Sequence, residues 1–581
     1  MAVGKSASSY TCSGGYPSPF SFGLTPSQGI AGRLVQHSDG SLETMPKSPA
    51  WVLGERLAPL VRKCTEAVGS MYHLFQKGVD WLPSLLPCAE GKILDRSGIP
   101  SPFPLSSLNG KNGVIFEGAN PRDGAGSGMV MADFNGDGLS DLATAAPNCG
   151  PGTIYVVYGR RDLLPSPFPL DALDGTRGVK ILLDEAMADE DHAINMVAGD
   201  VNGDGIPDLV VGVPVYSLYP SRHAPRVYIV YGSTSWPSQL SLAQLDGENG
   251  ATIEGAILRD ERLGASMATG QFSRRNANCD DVVMNIGTIY PATSVRVGYM
   301  IFGAKDLPAS LSLSALTPDR GLMISYADKA DMWSVIAAGN VTGRNFSDLI
   351  VGVPSTGKVH IIYGSERLPF NLSLAVNGTN GAIFASSPSF MRIATGDVDG
   401  NGLEDILVGR QATQDINVIY GNPQFPPVFG TEILDGKYGT RIVMDVQTYL
   451  NGGPVWTGDL DGDQIQDVFL GNPPIGPPLP NVSSLVYIVY GRRQFPSSFN
   501  ISSVLDGQSG VLVQGENPKD FMGNTLAGGD FNGDGYGDLA IGADDAPSPG
   551  GPGKAYLIYG DKRSPSFSSL PLSESGGQRA P

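Results

Sequence analysis

The sequence predicts an all-β fold, a seven-bladed β-propeller built from four-stranded blades. Two short signatures each recur seven times, and an acidic turn recurs between them at a regular interval. Short runs rich in β-branched residues, bounded by glycine and proline, separate these features, as expected for strands and turns. Four such runs in each of seven repeats fit a closed ring, which protects most strand edges, whereas an open solenoid is the alternative.

A strand that ends in an aromatic–glycine pair is the first signature. It reads IYVVYG at 154, VYIVYG at 227, GYMIFG at 298, VHIIYG at 359, INVIYG at 416, VYIVYG at 486 and AYLIYG at 555. The second signature is a glycine-containing turn followed by an apolar run. It reads LNGKNGVIFEG at 108, LDGTRGVKILL at 173, LDGENGATIEG at 245, LTPDRGLMISY at 316, VNGTNGAIFAS at 376, LDGKYGTRIVM at 434 and LDGQSGVLVQG at 505. A constant order of independent signatures indicates a repeat architecture.

Each repeat contains four runs typical of strands, as the second repeat shows. INMVAGD at 194 leads into the acidic turn, LVVGVP at 209 leaves it, RVYIVYG at 226 follows a hairpin and ATIEG at 251 ends the repeat. The runs are too short for helices. The last repeat supplies only three strands, so Val114 to Glu117, ahead of the first acidic turn, are predicted to complete the seventh blade and close the ring.

The acidic turn has the residue pattern of a calcium loop. Intact copies begin at Asp133, Asp200, Asp397, Asp459 and Asp530, and the six intervals from first to last average about 66 residues. Positions 1, 3, 5 and 9 carry Asp or Asn, and position 6 is glycine in four of the five copies. Ca²⁺ takes six to eight oxygen ligands, which such a loop supplies when position 7 adds a backbone carbonyl. The sequence therefore predicts up to five Ca²⁺ sites.

The predicted metal ligands are the residues at positions 1, 3, 5, 7 and 9 of the five intact loops. They are Asp133, Asn135, Asp137, Leu139 and Asp141; Asp200, Asn202, Asp204, Ile206 and Asp208; Asp397, Asp399, Asn401, Leu403 and Asp405; Asp459, Asp461, Asp463, Ile465 and Asp467; and Asp530, Asn532, Asp534, Tyr536 and Asp538. The side-chain positions include 16 aspartates, which would repel one another strongly without a cation.

An EF-hand is excluded by the residue at position 12 and by the flanking sequence. An EF-hand requires a bidentate glutamate there and a helix on each side. Position 12 of these loops is instead apolar or threonine and falls inside the next predicted strand. The calcium loop is therefore predicted to be a strand-to-strand turn, with position 9 as its last ligand.

The loops are not equivalent. Loop 6 has Gln464 where the others have glycine, which predicts a weakened site. Loops 3 and 4, which begin at Gln271 and Asn340, have lost most of the ligand side chains. In loop 4 we hypothesise that the guanidinium of Arg344 replaces the metal beside Asp348.

The stretches FMGNTLAGGDFNGDGYGDLAIGAD at 521–544 and MVAGDVNGDGIPDLVVGVP at 196–214 resemble FG-GAP repeats, the units of the integrin α-chain propeller. The resemblance implies a seven-bladed propeller with calcium on its lower face and a ligand or partner on its upper face. The aromatic–glycine half of the motif is poor: Phe521 is followed by Met522, and other repeats have Leu263-Gly264 or Ala125-Gly126. The chain shows no integrin leg region or membrane span, so it resembles free-standing FG-GAP proteins.

The repeats predict a propeller domain over residues 98–563. Residues 1–97 form an N-terminal extension that shares none of the repeat. Its first 50 residues have the composition of a disordered segment, and apolar residues spaced three and four apart predict an amphipathic helix over about 53–78. Residues 564–581 are predicted to be a flexible tail.

Composition limits the classes of function. A net charge of −19 argues against binding to nucleic acid. The five cysteines and five histidines form no disulfide framework and no zinc motif, and no nucleophile elbow or phosphate loop is present. No apolar run predicts a transmembrane helix, and no signal peptide is visible, which taken alone indicates the cytoplasm. Six Asn-x-Ser/Thr sequons favour secretion and a glycoprotein instead: Asn340, Asn345, Asn371, Asn377, Asn481 and Asn500.

The expected function is a non-catalytic, calcium-binding interaction module in cell adhesion or extracellular recognition, with a protein or glycan ligand on the upper face. One alternative is a lectin-like propeller, although the five tryptophans do not recur at equivalent positions. The other is a propeller joined to hydrolase or lyase chemistry, as in the FG-GAP family that carries a zinc phospholipase domain. Residues 1–97 contain only two histidines, too few for that domain, so no enzymatic activity is expected.

Overall fold

In a computed structural model the propeller is described over residues 99–562, except for 149–151, 184–193, 215–224, 256–262, 275–277, 286–295, 326–334, 446–452, 473–483 and 518. The N-terminal extension with its predicted helix at 53–78, and the tail at 564–581, lie outside the described residues. The prediction of a seven-bladed β-propeller is confirmed: the strands form seven sheets, each with a regular strand order. None of the helices in the described part of the chain is long and apolar enough to cross a membrane.

Each blade begins with an innermost strand that leads into the acidic turn. In chain order these strands are Met129–Ala132, Asn195–Gly199, Met267–Gly270, Val335–Gly339, Met391–Gly396, Val455–Gly458 and Leu526–Gly529. Each innermost strand contacts the innermost strands of the two neighbouring blades, and the last one contacts the first. The ring is therefore closed.

The second and third strands of each blade form an antiparallel hairpin, and they are the most deeply buried strands of the propeller. The second strands are Asp141–Ala146, Asp208–Val213, Asp281–Asn285, Asp348–Val353, Asp405–Arg410, Asp467–Asn472 and Asp538–Ala543. The third strands are Thr153–Val157, Arg226–Val230, Arg296–Ile301, Lys358–Ile362, Asp415–Ile419, Leu485–Val489 and Lys554–Ile558. Their apolar, β-branched composition follows from burial on both faces, because each blade is packed between two others.

The fourth strand pairs antiparallel with the third and comes from the second signature. These strands are Gly178–Leu182, Gly250–Glu254, Gly321–Ser325, Gly381–Ala385, Gly439–Val443 and Gly510–Gln514 in blades 1 to 6. Blade 7 takes its fourth strand from the other end of the repeat region: Gly113–Glu117 pairs with Lys554–Ile558. The predicted two-piece blade is confirmed, and it begins one residue before the predicted Val114.

A short fifth strand lies at the outer edge of every blade, which the four-strand prediction missed. It pairs parallel with the fourth strand and belongs to the connection that leads into the fourth strand of the next blade, so the chain links each blade to its neighbour. The fifth strands of blades 1 to 7 are Gln239–Ser241, Ser310–Ser312, Asn371–Ser373, Val428–Gly430, Ser498–Asn500, Phe103–Pro104 and Phe168–Pro169.

Proline is tolerated in two of these fifth strands because an edge strand needs only one side of its backbone for pairing. The N-terminal part of the repeat region thereby joins two blades: Phe103–Pro104 pairs with blade 6, and Gly113–Glu117 completes blade 7. Single 3₁₀ turns follow most fifth strands, and all of these turns except Thr431–Ile433 contain a buried apolar residue. They are Leu105–Ser107, Leu170–Ala172, Leu242–Gln244, Leu313–Ala315, Thr431–Ile433 and Ile501–Val504.

The hydrophobic core is divided into seven clusters, and each lies between two neighbouring blades. The cluster that joins blades 7 and 1 contains Phe116, Phe168 and Phe531, all at most 1% exposed. Their rings meet edge to face, with centroids 6.0 Å apart for Phe116–Phe168 and 6.3 Å for Phe116–Phe531. The closing interface is thus packed like the other interfaces of the ring.

Candidate metal sites

The acidic turns connect the innermost strand of each blade with its second strand. Since the innermost strands run in the same direction around the ring, the turns lie together at one end of the propeller, which we call the loop face. The opposite end, where the second and third strands are joined, is the upper face. All 25 predicted ligand residues lie in described parts of the chain: those at positions 1 to 7 lie in the turn, and the aspartate at position 9 is the first residue of the second strand.

Loop 1 shows how the side-chain oxygens are gathered. Asp133 accepts hydrogen bonds from the backbone N–H groups of Asp137 (3.0 Å) and Gly138 (2.8 Å). Asn135 Oδ1 accepts from the N–H of Asp137 at 2.9 Å, and Asp137 Oδ1 accepts from the N–H of Leu139 at 2.9 Å. Positions 1, 3 and 5 therefore turn their oxygens toward the inside of the loop, where their spacing is fixed by the backbone.

The same bonds recur in the other four intact loops. The carboxylate at position 1 accepts from the N–H groups of positions 5 and 6 in each of them, with N–O distances between 2.8 and 3.2 Å. In loops 5 and 6 the carboxylates alone are close enough to share one cation. Oxygen atoms of Asp397, Asp399 and Asp405 lie within 4.8 Å of one another, and so do those of Asp459, Asp461 and Asp463.

The aspartate at position 9 has a structural role that the sequence analysis did not foresee. In loop 1, Asp141 accepts from the N–H of Phe134 at 3.0 Å and from the N–H of Gly159 at 2.8 Å. Gly159 is the glycine of the aromatic–glycine signature that ends the third strand. Asp141 is fully buried, so it joins the acidic loop to the next hairpin of the same blade. We call this contact the aspartate latch.

All seven blades have the aspartate latch, including the two whose loops are degenerate. The latch aspartates are Asp141, Asp208, Asp281, Asp348, Asp405, Asp467 and Asp538, and their partners are Gly159, Gly232, Gly303, Gly364, Gly421, Gly491 and Gly560. A carboxylate oxygen has more than one lone pair and can accept a hydrogen bond while it binds a cation. Position 9 can therefore serve as both latch and ligand.

Burial disfavours the charged form of the latch aspartates. Burial raises the pKa of Asp141 to about 8, against the lowering effect of the Gly159 N–H, and the charges of Asp137 and Asp133 raise it too. Burial likewise raises the pKa of Asp208 to about 7 and that of Asp538 to about 8. A divalent cation in the loop would offset this penalty, because it stabilises the charged carboxylates.

These pKa shifts predict the pH dependence of the calcium-free protein. A folded-state pKa raised to about 8 means that the folded chain binds a proton more tightly than the unfolded chain between about pH 4 and pH 8. In EDTA the thermal midpoint is therefore expected to rise as pH is lowered from 8.5 to 6, and the increase in midpoint produced by calcium is expected to shrink. Calorimetry at several pH values, with EDTA or Ca²⁺, measures both. A calcium effect independent of pH in this range would contradict the prediction.

Position 6 of the loop needs a backbone conformation that favours glycine. Gly138, Gly205, Gly402 and Gly535 have φ between +85° and +91° there. Gln464, at the same position of loop 6, has φ +68° and therefore carries a side chain in the left-handed region. The weak point that the sequence predicts in loop 6 is thus a strained residue, whose N–H still donates to Asp459 at 2.9 Å.

Replacing Gln464 with glycine should relieve this strain. Gln464→Gly is expected to raise the stability of the protein in calcium by about 1 kcal/mol, since the left-handed conformation costs a residue with a side chain about that much. Gln464→Ala is the matched control, because it shortens the side chain but keeps the Cβ. Thermal unfolding of the two variants in calcium tests the prediction, and an equal effect of glycine and alanine would argue against strain.

Loop 4 retains the shape of a calcium loop without its ligands. Asn345 occupies position 6 with φ +61°, as the glycines do in the intact loops. The latch Asp348 accepts from both the N–H (2.9 Å) and the hydroxyl (2.8 Å) of Thr342, and from the N–H of Gly364. Arg344 instead places its guanidinium over the ring of Tyr363, 4.0 Å from the centroid, and donates to the Pro423 carbonyl. Thr342 rather than Arg344 thus donates hydrogen bonds to the Asp348 carboxylate. Burial raises the pKa of Asp348, and the charge of Arg344 lowers it by a smaller amount.

The FG-GAP repeat family model matches residues 125–157, 194–230 and 522–558. Each match covers the innermost strand, the acidic loop and the second and third strands of one blade, in blades 1, 2 and 7. Each match therefore contains the candidate ligands and the latch aspartate of its blade, and it ends two residues before the glycine that the latch aspartate contacts.

Curated relatives match the chain over parts of their length. Phosphatidylinositol-glycan-specific phospholipase D of Bos taurus is 34% identical over 134 residues, 22% of this chain and 15% of that protein. Integrin alpha-PS2 of Drosophila melanogaster is 28% identical over 248 residues, 38% of this chain and 16% of that protein. Phosphatidylinositol-glycan-specific phospholipase D of Dictyostelium discoideum is 20% identical over 512 residues, 75% of this chain and 51% of that protein.

The chain thus spans at most about half the length of these relatives. The matched proteins are of two kinds, integrin α chains and phosphatidylinositol-glycan-specific phospholipases D. The chain contains FG-GAP repeats, and its sequence is similar to that of integrin α chains over part of its length.

Proposed function

We propose that this propeller is a non-catalytic interaction module that binds up to five Ca²⁺ ions at its loop face and a protein or glycan ligand at its upper face. The observation that carries the calcium assignment is the convergence of the oxygens of positions 1, 3 and 5 inside each intact loop. The donor set consists only of carboxylate, amide and carbonyl oxygens, which suits a hard cation such as Ca²⁺ and not zinc or copper.

The role proposed for calcium is structural. A bound ion supplies positive charge to a loop that otherwise holds three or four carboxyl groups close together. Positions 1, 3 and 5 hold the ion from within the loop, the carbonyl of position 7 adds a ligand, and the latch aspartate connects the site to the third strand. The ion and the latch aspartate then connect the loop, the second strand and the end of the third strand in each blade.

The recognition role follows from the form of the molecule and from the relatives. A closed ring with its metal loops at one end leaves the upper face for a ligand, as the resemblance to integrin α chains suggests. We assign the protein to the extracellular space or the cell surface on the same basis. Millimolar calcium, which is typical outside cells, suits sites in the weaker range of calcium affinities.

A binding screen tests this role. Extracellular-matrix proteins and glycans are presented to the full chain in 2 mM Ca²⁺ or in EDTA, and in parallel the chain is incubated with a phosphatidylinositol-glycan-anchored protein. Calcium-dependent binding without turnover supports the proposal. Release of the anchored protein would contradict the non-catalytic assignment, and the absence of binding to any extracellular ligand would contradict the recognition role.

Substitutions at position 5 test the calcium sites one at a time. Asp137→Ala and Asp534→Ala are each expected to destabilise the protein in calcium by on the order of 2–3 kcal/mol, since a site at about one hundred times its Kd contributes that much. In EDTA the same variants are expected to unfold close to the wild-type midpoint, because both side chains are exposed.

Asp348→Ala is the matched control for these variants. It removes the latch in a loop that lacks the metal ligands, so it is expected to destabilise the protein equally in calcium and in EDTA. Thermal unfolding of the three variants in both buffers gives the comparison. Equal losses in the two buffers for Asp137→Ala and Asp534→Ala would count against metal binding at loops 1 and 7.

A further inference from the structure

The acidic loops are hydrogen-bonded to one another around the ring. The N–H of the residue at position 8, just before the latch aspartate, donates to the carbonyl of the residue at position 1 in the loop of the preceding blade. These bonds run from Ser140 to Asp530 (2.9 Å), Asp280 to Asp200 (2.7 Å), Ser347 to Gln271 (2.8 Å), Glu404 to Asn340 (3.3 Å), Gln466 to Asp397 (2.9 Å) and Gly537 to Asp459 (2.7 Å).

A side-chain contact accompanies many of these bonds. The residue at position 7 packs over the glycine at position 4 of the preceding loop. A Cβ on Gly462 would lie 2.5 Å from the ring of Tyr536, and one on Gly533 would lie 2.5 Å from the side chain of Leu139. The conformation of one loop therefore limits that of the next, through the same residues that are proposed to hold calcium.

Loop 2 interrupts this chain of bonds. Its position 8 is Pro207, which has no N–H to donate to the carbonyl of Asp133 in loop 1. Contacts of two kinds still reach loop 1 from the described residues of blade 2: the N–H of Ser233 donates to the Phe134 carbonyl at 2.9 Å, as the equivalent residues do in other blades, and the side chain of Ile206 would lie 3.1 Å from a Cβ on Gly136. On its other side, loop 2 is bonded to the degenerate loop 3 through Asp280. Loops 5, 6, 7 and 1, in contrast, are all intact and are joined in an unbroken series.

We propose that the calcium sites of loops 5, 6, 7 and 1 form one cooperative array, coupled through the position 8 bond, and that the site of loop 2, which lacks this bond, lies outside the array; this inference rests on the proposed calcium binding. The linking hydrogen bond connects two neighbouring sites. Its acceptor carbonyl belongs to the residue at position 1, which supplies the first ligand of one site. Its donor N–H belongs to the residue at position 8, just before the last ligand of the next site. A cation that fixes the first residue therefore also fixes the peptide from which the neighbouring latch aspartate projects. Each occupied site reduces the ordering that its neighbour requires.

Removing single sites distinguishes the array from the isolated site. Asp534→Ala removes the site of loop 7, between two linked neighbours, and Asp204→Ala removes the site of loop 2. Calcium bound per chain is measured by equilibrium dialysis and atomic absorption over a range of free Ca²⁺, with near-ultraviolet circular dichroism in saturating calcium as the check of folding. Asp463→Ala in loop 6 serves as a second variant within the array.

Both kinds of variant are expected to lose one ion, but only those in the array should weaken the remaining sites. For Asp534→Ala and Asp463→Ala the half-saturating Ca²⁺ of the remaining sites should rise by about fivefold, the lower end of usual coupling between sites. For Asp204→Ala it should stay at the wild-type value. If Asp534→Ala lost one ion without any shift, the array would be refuted while calcium binding stood; a wild-type chain that bound no calcium would instead refute the proposed function.

Pro207→Ser provides a gain of coupling. Serine is the residue at position 8 of loops 1 and 4 and restores the missing N–H. Asp204→Ala is expected to raise the half-saturating Ca²⁺ of the remaining sites in the Pro207→Ser background but not in the native background. The same binding curve in both backgrounds would show that the position 8 bond does not transmit coupling.

Discussion

Removal of calcium is expected to lower the thermal midpoint of this protein more than any single core substitution. Each site at about one hundred times its Kd stabilises the folded chain by about 2.7 kcal/mol, and five sites act on the same ring. Without the ions, the carboxylates of each loop repel one another, and burial disfavours the charged form of latch aspartates such as Asp141 and Asp538, whose pKa it raises to about 8. Differential scanning calorimetry in 2 mM Ca²⁺ and in EDTA measures the difference.

Magnesium at the same concentration is the control for this experiment. Mg²⁺ requires a smaller octahedral site and releases its water reluctantly, so a loop built for Ca²⁺ should respond to it weakly. Calcium added back after chelation should restore the original midpoint. Identical midpoints in calcium and EDTA would contradict the structural role of the loops, and an equal response to magnesium would contradict their selectivity.

The second large effect is expected at the junction where the ring closes. Phe116 is fully buried in the strand Gly113–Glu117, and its ring contacts Phe168 of the fifth strand and Phe531 of loop 7. Phe116→Ala should cost about 3–5 kcal/mol, as for other large aromatic residues truncated in a core. Gly113–Glu117 comes from the N-terminal end of the repeat region and pairs with a strand from its C-terminal end. The loss of stability should therefore appear as opening of blade 7. Hydrogen exchange of Gly113–Glu117 and its partner Lys554–Ile558 is the measurement.

Phe384→Ala is the matched control, since Phe384 occupies the equivalent position in a blade made from one continuous segment. Phe384 is also fully buried and meets the fifth-strand residue Phe429 with a centroid distance of 5.7 Å. It should lose a similar amount of stability without exposing blade 7. If the two variants gave the same exchange pattern in blade 7, the two-piece blade would not be the closure of the ring.

The sequence predicted the number of blades, their order and the two-piece blade because these depend on local patterns that repeat. The fifth strands were missed although they too leave a repeated pattern. SQLSLAQL at 238, ASLSLSAL at 309 and SSFNISSVL at 497 precede the second signature in three repeats. These strands have only two or three residues and pair with the preceding blade. Their pairing is therefore a tertiary contact that alternation within one segment cannot reveal.

The candidate site was predictable in its ligand pattern but not in its connections. The spacing of Asp and Asn indicated the loop, and hydrogen bonds within the turn bring those residues together, whereas their role as ligands and calcium binding itself stay predictions. The latch between Asp141 and Gly159 joins residues 18 positions apart, so the sequence showed a recurrent aspartate and a recurrent glycine without showing that they meet. Arg344 was assigned to Asp348 by charge, yet Thr342 is nearer to the carboxylate and Tyr363 offers the guanidinium a flat surface.

The most direct test of calcium-locked ring closure is to count the bound ions and to locate them. Native mass spectrometry of the full chain after dialysis against 2 mM Ca²⁺ gives the number, and anomalous scattering from crystals grown in calcium gives the positions. We predict five ions, one each in the loops that begin at Asp133, Asp200, Asp397, Asp459 and Asp530, and none in loops 3 and 4. A folded protein whose five acidic loops contain no calcium under these conditions would contradict the account.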